Sequence, residues 1–335
     1  MEPNSISFNR NISPKGLIML WAFAESGIGG VLHALKLPFT GIFVGGVAVI
    51  SIALLAYYSG GRKNILKALA IVLLVKLTVS PHSPWQAYVA VLFQGYLGYL
   101  LFKSNTHYNL KCMVFSILCL LESAIQKILL ALLIYGMQLM EAVDTAGITI
   151  IKAMGINANG SVVTFIFCTY IFTHLLVGII LGKWIPNIPE QIDLFADKIP
   201  IQEVNAHLSK PKYNNLKAIF AGFFIFILIL SIIKILVPDL KILDLVFIFI
   251  RSFTISLGLL FVIGPFIKFA IMKYAKSRTL SMDNQELNAI IQDMPKFTDQ
   301  AYTLFVWINK TYSGVTKFKN FILGLLLLST KFKND

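Results

Sequence analysis

The chain has 335 residues, of which 57% are hydrophobic and only 13% are charged, and its mean hydropathy is +0.75. Soluble domains carry about 25% charged residues, so this composition excludes a water-soluble globular protein and indicates a protein of the lipid bilayer. The formal net charge of +13 would suit nucleic acid, but the basic residues gather in alternate loops, which indicates a membrane and no nucleic acid.

Eight apolar stretches are long enough to predict transmembrane helices, because about 18 or more apolar residues are needed to cross the hydrocarbon core. We therefore predict an all-α polytopic membrane protein with a six-helix transmembrane bundle over residues 1–185. A cytoplasmic linker at 186–215 and a module at 216–335, with two further transmembrane helices and cytoplasmic amphipathic helices, follow. The predicted spans are 16–35, 39–59, 64–80, 84–102, 111–136, 161–183, 216–237 and 242–268.

The loop charges predict the orientation of these spans. Arg62 follows the second span and Lys103 follows the fourth, and most other basic residues fall on the same side as both termini. Cytoplasmic loops are enriched in Lys and Arg, so we expect a multi-pass protein of the cell (inner) membrane with both termini in the cytoplasm. The loops on the opposite side hold only Lys36, Lys152 and Lys241.

Small residues recur at a four-residue spacing in three of the predicted spans. This spacing lets transmembrane helices approach one another closely. In the first span, the small face either packs within the chain or docks a partner membrane subunit, and the sequence leaves both interpretations open. The residues are Ala22, Ser26 and Gly30 in the first span, Gly41 and Gly45 in the second, and Gly178 and Gly182 in the sixth.

Polar side chains inside the spans are the main functional candidates, because a charged residue in hydrocarbon costs about 2.5–3.5 kcal/mol. Glu122 and Gln126 lie four residues apart and so share one face of the fifth span. Aromatic walls with a few polar groups are usual for ligand sites, which predicts an outward-opening pocket for a small polar molecule. The candidate substrate-binding residues are Glu25, His33, Lys76, Trp85, Gln86, Tyr88, Gln94, Glu122 and Gln126.

Two other interpretations of the same polar groups stay open. In the first, Glu25 or Glu122 pairs with Lys76 or Lys127 only so that the charges are tolerated in the membrane. In the second, the groups form a proton or ion relay. No nucleophile motif, metal-ligand spacing or diphosphate-binding aspartate motif is present, so we predict no catalytic residue, no metal and no cofactor. An intramembrane enzyme acting on lipid is the least supported hypothesis.

The C-terminal region contains an apolar row with helical spacing, formed by Leu287, Ile290, Ile291 and Met294. It predicts an amphipathic helix over 283–300, bent at Pro295. We expect the apolar stretches that follow it, 302–308 and 318–328, to lie at the membrane interface. Because such a row suits a helix-in-groove contact, its residues are candidate partner-docking residues, as are Ala22, Ser26 and Gly30 in the first span.

Three segments of the first 185 residues together resemble one known family. The first helix begins Ser13-Pro14-Lys15-Gly16-Leu17, a short loop reads Lys36-Leu37-Pro38-Phe39-Thr40-Gly41, and the sixth span closes Gly178-Ile179-Ile180-Leu181-Gly182-Lys183. With six short-looped helices and both ends inside, this part of the chain resembles the substrate-capture (S) component of energy-coupling factor vitamin transporters. The resemblance covers a little over half of the chain, and the remaining 150 or so residues have no counterpart in that family.

The resemblance implies a small-molecule ligand captured near the outer face, with a scaffold membrane subunit and two cytoplasmic ATPases as partners. It also implies that segments 36–40 and 80–86 cover the ligand, while Ala22, Ser26 and Gly30 dock the scaffold. We therefore expect a membrane uptake protein that captures a vitamin-like nutrient from outside, energised by these partners. The alternative is a non-transporting scaffold or coupling subunit that holds a cytoplasmic partner through its amphipathic C-terminal helix.

Overall fold

The computed structural model describes residues 14–29, 39–59, 62–80, 83–104, 106–156, 160–196, 215–236, 241–279, 284–314 and 316–330. The regular structure within these ranges is entirely helical. This confirms the all-α fold class. Four helical segments are long and apolar enough to cross a membrane, namely Thr40–Tyr58, Tyr108–Ala153, Val162–Ile192 and Leu243–Tyr274.

The first six predicted spans correspond to six helices. Their bounds are α1 Pro14–Phe23, α2 Thr40–Tyr58, α3 Arg62–Val79, α4 Trp85–Leu101, α5 Tyr108–Ala153 and α6 Val162–Trp184. Helix α1 continues as a π-helical turn over Ala24–Ile28. Three of the six are marginal as spans. Helix α1 has 10 residues and its π-helical turn 5, α3 carries four basic residues within its 18, and α4 has only 17 residues. The arrangement of six spans plus two therefore remains a prediction.

Local backbone chemistry determines where two of these helices begin. Pro84 precedes α4 with φ −63° and ψ 148°, an extended conformation that proline favours and that stops a helix from continuing backwards. Ser161 caps α6, since its hydroxyl accepts a hydrogen bond from the Thr164 N–H at 3.0 Å. Such a cap satisfies one of the free N–H groups of the first turn. Both starts agree with the predicted spans to within one residue.

Helix α5 is broken at Gly136, which has φ 73° and ψ 172°. A straight helix of its 46 residues would extend about 69 Å, more than twice the ~30 Å hydrocarbon core. The predicted fifth span ends at this break, and beyond it the chain continues as helix to Ala153. This second half runs beside α6, where Asp144 accepts a hydrogen bond from the Val163 N–H at 2.7 Å.

Helix α2 lies at the centre of the fold. Its apolar window is 78% buried, whereas the corresponding windows of Tyr108–Ala153, Val162–Ile192 and Leu243–Tyr274 are each 17% buried. Apolar side chains on a bundle surface are stable in lipid but costly in water. The three outer segments therefore present the surface suited to a bilayer, and α2 packs against α1, α3, α4, α5 and α6 inside it.

The second half of the chain adds six further helices. They are α7 Ile188–Ala196, α8 Asn215–Leu236, α9 Ile242–Gly258, α10 Gly264–Thr279, α11 Asn284–Thr311 and α12 Thr316–Thr330. A 3-10 turn joins α6 to α7, and a π-helical turn over Leu259–Ile263 joins α9 to α10. Helices α8 and α9 pack against the second half of α5, where Leu139 and Ala142 form a small apolar cluster with Leu230, Ile233 and Ile248.

Helices α11 and α12 pack directly on α1. The rings of Phe23 and Phe297 meet edge to face at 5.2 Å, and Gly16 allows the backbone of Ser329 to approach α1 closely. Helix α10 packs in the same way against α3 and α4. Side chains of α10, α11 and α12 therefore belong to the same hydrophobic core as the first six helices, whereas the buried residues of α8 and α9 belong to the smaller cluster on α5.

The apolar row of α11 is part of this core. Ile290 and Met294 are buried, and Leu287 and Ile291 pack against the same cluster from partly buried positions. The stretch 318–328 lies in α12 and is largely buried as well. The stretch 318–328 was expected at the membrane interface, and the row was expected to dock a partner. In this structure the row packs against an apolar surface of the same chain.

The small-residue faces also serve packing within the chain. Gly178 and Gly182 lie against the backbone of α5 at Ile117 and Met113, as the four-residue spacing predicted. Ala22 and Ser26 are buried inside the bundle. In this arrangement neither is available to a partner subunit, and Gly30 lies outside the described residues.

Candidate functional site

A cavity of about 450 Å³ lies between α1, α2, α4 and α5. The cavity lies at the end of the bundle where α2 begins at Thr40 and α4 begins at Trp85. We call this end of the bundle the cavity end. The volume is within the range of about 300–1,000 Å³ that is usual for small-molecule sites. Its lining comprises Glu25, Thr40, Gly41, Val44, Gly45, Pro84, Gln86, Ala87, Ala90, Gln94, Ser123, Gln126, Lys127 and Leu130.

Two backbone features shape the walls of this cavity. Gly41 and Gly45 present no side chain, so α2 contributes a thin wall, and a Cβ on Gly45 would lie 3.5 Å from the Gln94 amide nitrogen. On the opposite side, the π-helical turn Ala24–Ile28 carries Glu25. π-Helical turns inside α-helices are frequent at functional sites. The site thus combines a thin glycine wall with a carboxylate carried on a π-helical turn.

Glu25 forms a buried ion pair with Lys76. The Lys76 Nζ lies 2.5 Å from the Glu25 Oε2 and also donates to the Glu25 backbone carbonyl at 3.1 Å. The two side chains are 4% and 0% exposed. Glu25 and Lys76 therefore pair with each other, as one of the alternatives for the polar groups predicted. Glu25 also lines the cavity. Lys76 lies behind Glu25 and does not line it.

Three glutamine side chains line the cavity. The Gln126 amide donates to the backbone carbonyl of Gln86 at 3.2 Å, which ties α5 to α4. Gln94 is 2% exposed, and its Oε1 has no hydrogen-bond partner within the described part of the chain. A buried acceptor left unpaired costs about 1–3 kcal/mol, so native structures rarely keep one without a reason. Gln94 is therefore the strongest candidate in the cavity wall for a hydrogen bond to a ligand.

Glu122 lies beside the cavity rather than in its wall. It precedes the lining residue Ser123 and is one helical turn from Gln126, but it is not among the lining residues. It is partly buried, and its Oε2 has no hydrogen-bond partner among the described residues. The predicted shared face of α5 is thus only half correct, because the cavity wall consists of residues 123, 126, 127 and 130.

The predicted aromatic walls are not part of the cavity. Trp85 lies outside its lining, while Tyr88 is fully buried, with its hydroxyl donating to the Ser80 carbonyl at 3.2 Å. Tyr96 is 54% exposed and lines a separate apolar groove. The reason is helical geometry, since α4 turns Gln86, Ala87, Ala90 and Gln94 to the cavity and residues 85, 88 and 96 to other faces.

Sequence reasoning missed three polar residues of the wall, and one predicted residue cannot be placed. Thr40 and Ser123 were not predicted, and Lys127 was considered only as a partner for a carboxylate and not as a residue of the cavity wall. Gln126 and Lys127 lie three and four residues after Ser123, so the i, i+3, i+4 spacing from Ser123 places all three on one face of α5. His33 lies outside the described residues. Within the described ranges, no three His, Cys, Asp or Glu side chains come together as a metal site.

Comparison of the chain with protein-family models, with curated proteins and with solved structures found no match. The predicted resemblance to vitamin-capture subunits therefore stays a prediction, and the cavity itself has to support any functional assignment.

Proposed function

We propose that this protein captures a small organic molecule in the cavity between α1, α2, α4 and α5, as the first step of uptake across a membrane. The observation that carries the proposal is Gln94, a buried side chain in the wall of a ligand-sized cavity, whose Oε1 has no hydrogen-bond partner among the described residues. Glu25, Gln86 and Gln126, which were predicted to bind substrate, line the same space. The remaining wall is largely apolar, as is usual for ligand sites.

The distribution of charge supports capture from the outside. Lys15, Arg62, Lys103 and Lys183 all lie at the end of the bundle opposite the cavity, at the start of α1 and α3 and the ends of α4 and α6. Basic residues favour the cytoplasmic side of a membrane. The cavity end is then the external end, and a ligand would enter the bundle from outside.

The contacts of α1 and α11 bear on how a partner would supply energy. The face with Ala22 and Ser26 and the row with Ile290 and Met294 are both buried within the chain. We propose that an energising scaffold or ATPase, if it acts on this protein, contacts other surfaces. The alternative function, a scaffold that holds its partner through the α11 row, loses the exposed row on which it depended.

The experiment is identification of the bound molecule. The full chain is purified in detergent, and the small molecules released by denaturation are identified by mass spectrometry. We expect one class of organic molecule in near-stoichiometric amount from the wild-type protein and from Q138L, a matched control at an exposed position of α5. Q94L should lose most of it. An equal yield from Q94L, or no small molecule from a monodisperse wild-type protein, would contradict the proposal.

A further inference from the structure

We propose that the cavity selects an uncharged molecule that presents a hydrogen-bond donor next to an acceptor, such as a cyclic amide, imide or urea. This inference rests on the proposed capture function and assigns the chemical class of its ligand. Three properties of the cavity carry it: its balanced charge, its carboxamide wall and its thin apolar sides.

Among the described residues around the cavity, acidic and basic side chains are equal in number. The acidic residues are Glu25 in the wall and Glu122 beside it, and the basic residues are Lys127 in the wall and Lys76 behind Glu25. Glu25 and Lys76 compensate each other at 2.5 Å. A ligand with net charge would leave an uncompensated charge in a buried site, which is costly. An uncharged ligand leaves the balance intact.

The polar recognition groups are carboxamides. Gln126 uses an N–H to hold the Gln86 carbonyl, whereas the Gln94 Oε1 accepts nothing within the described residues. A glutamine side chain offers one acceptor edge and one donor edge, side by side, in either orientation of its amide. The complement of that pair is an N–H next to a C=O, which is the edge of a cyclic amide, imide or urea.

The apolar sides of the cavity favour a flat molecule. Gly41 and Gly45 form a wall without side chains on α2, and Ala87 and Ala90 provide only methyl groups on α4. Val44 and Leu130 complete the apolar lining. Apolar walls gain free energy from burying ring carbons, while the glutamines fix the orientation of the ring.

The test uses pairs of probes that differ mainly in charge. Uracil is compared with orotate, and biotinamide with biotin, each titrated into the ligand-free full chain in detergent. We expect the uncharged member of at least one pair to bind at least tenfold more tightly than its anionic counterpart. Q94L should lower that affinity about tenfold or more, Q94N should retain part of it, and Q138L should leave it unchanged.

Several results would overturn the inference, and they can be told apart from failure of the capture function. Equal or tighter binding of the anionic probes, or binding of the uncharged probe unaffected by Q94L, refutes the ligand class alone. If no probe binds, the molecule that co-purifies with the protein decides, since a charged co-purifying molecule refutes the class and an uncharged amide supports it. If no probe binds and nothing co-purifies, capture fails and the inference fails with it. A cooperative thermal unfolding transition in each variant verifies that the variant is folded.

Discussion

The two ends of α1 lie in different environments. From Leu17 to Ala24 the helix is buried among apolar side chains, with α11 and α12 covering it. The next residue, Glu25, lines a cavity. Three buried polar atoms in this region have no hydrogen-bond partner among the described residues, namely the Ser26 Oγ, the Gln94 Oε1 and the Glu122 Oε2. Unpaired buried polar atoms are destabilising, whereas apolar burial stabilises.

This difference separates stability from binding along a single helix. Changes at the covered end of α1 should act on the free energy of unfolding. Changes in the cavity wall should act mainly on the ligand, and removal of an unpaired polar atom should even stabilise the ligand-free protein. The Glu25–Lys76 ion pair connects the cavity wall with the buried interior. Glu25 lines the cavity, and the Lys76 side chain behind it is 0% exposed.

The largest effect is expected for K76M. It leaves the Glu25 carboxylate buried beside the cavity without its cation, and breaking one partner of a buried pair costs about 3–5 kcal/mol. We expect the free energy of unfolding, measured by chemical denaturation in detergent, to fall by that amount. The double variant E25Q/K76M should regain at least half of the loss, because no uncompensated charge remains. A single variant as stable as the wild type would show that the pair is not a structural link between the two regions.

The next largest effect concerns the covered end of α1. G16A places a methyl group where the Ser329 backbone lies, so α12 must move away from α1. Overpacking of this kind costs about 1–3 kcal/mol. The matched control is G258A, because a Cβ at Gly258 meets nothing within 4 Å and alanine is the better helix former. Thermal unfolding should show a lower transition for G16A and an unchanged or higher one for G258A. If both variants behave alike, α12 does not pack on α1 as described.

Sequence patterns predicted those parts of the structure that depend on local composition. Apolar length alone located α2 and α6, and the end of an apolar run located the break at Gly136. Of the two residues predicted to share a face of α5, Gln126 lines the cavity and Glu122 does not. These features follow from one segment at a time, which is why they can be read without knowing the packing.

The remaining features depend on which surfaces meet, and one segment alone does not determine them. The row of Ile290 and Met294 indicates that one face of α11 is apolar, but a partner, a membrane surface and α1 satisfy it equally well. In α4, residues 85 to 88 cover nearly a full turn. The sequence therefore did not determine whether Gln86 or the neighbouring Trp85 and Tyr88 would line the cavity.

A smaller effect with opposite signs is expected for two glutamines of the cavity wall. Q94L removes an acceptor that has no partner in the described residues, so the ligand-free protein should gain about 1 kcal/mol in free energy of unfolding. Q126L removes the donor to the Gln86 carbonyl and should lose about 1 kcal/mol. Denaturation of both ligand-free variants measures the two signs side by side. A loss of stability in Q94L would mean that Gln94 is a packing residue rather than a binding residue.

The smallest effect is expected at the rim of the covered end, where Lys15 lies 3.5 Å from Asp293 of α11, with side chains 16% and 36% exposed. Water screens ion pairs at such a position, and they contribute about 0–1 kcal/mol. K15M should therefore lower the free energy of unfolding by less than about 1 kcal/mol, and 1 M salt should abolish the difference. A double-mutant cycle with D293N isolates the pair from other contacts of either side chain. A coupling energy above about 2 kcal/mol would mean that charge, rather than the apolar contacts around Phe23 and Phe297, holds α11 against α1.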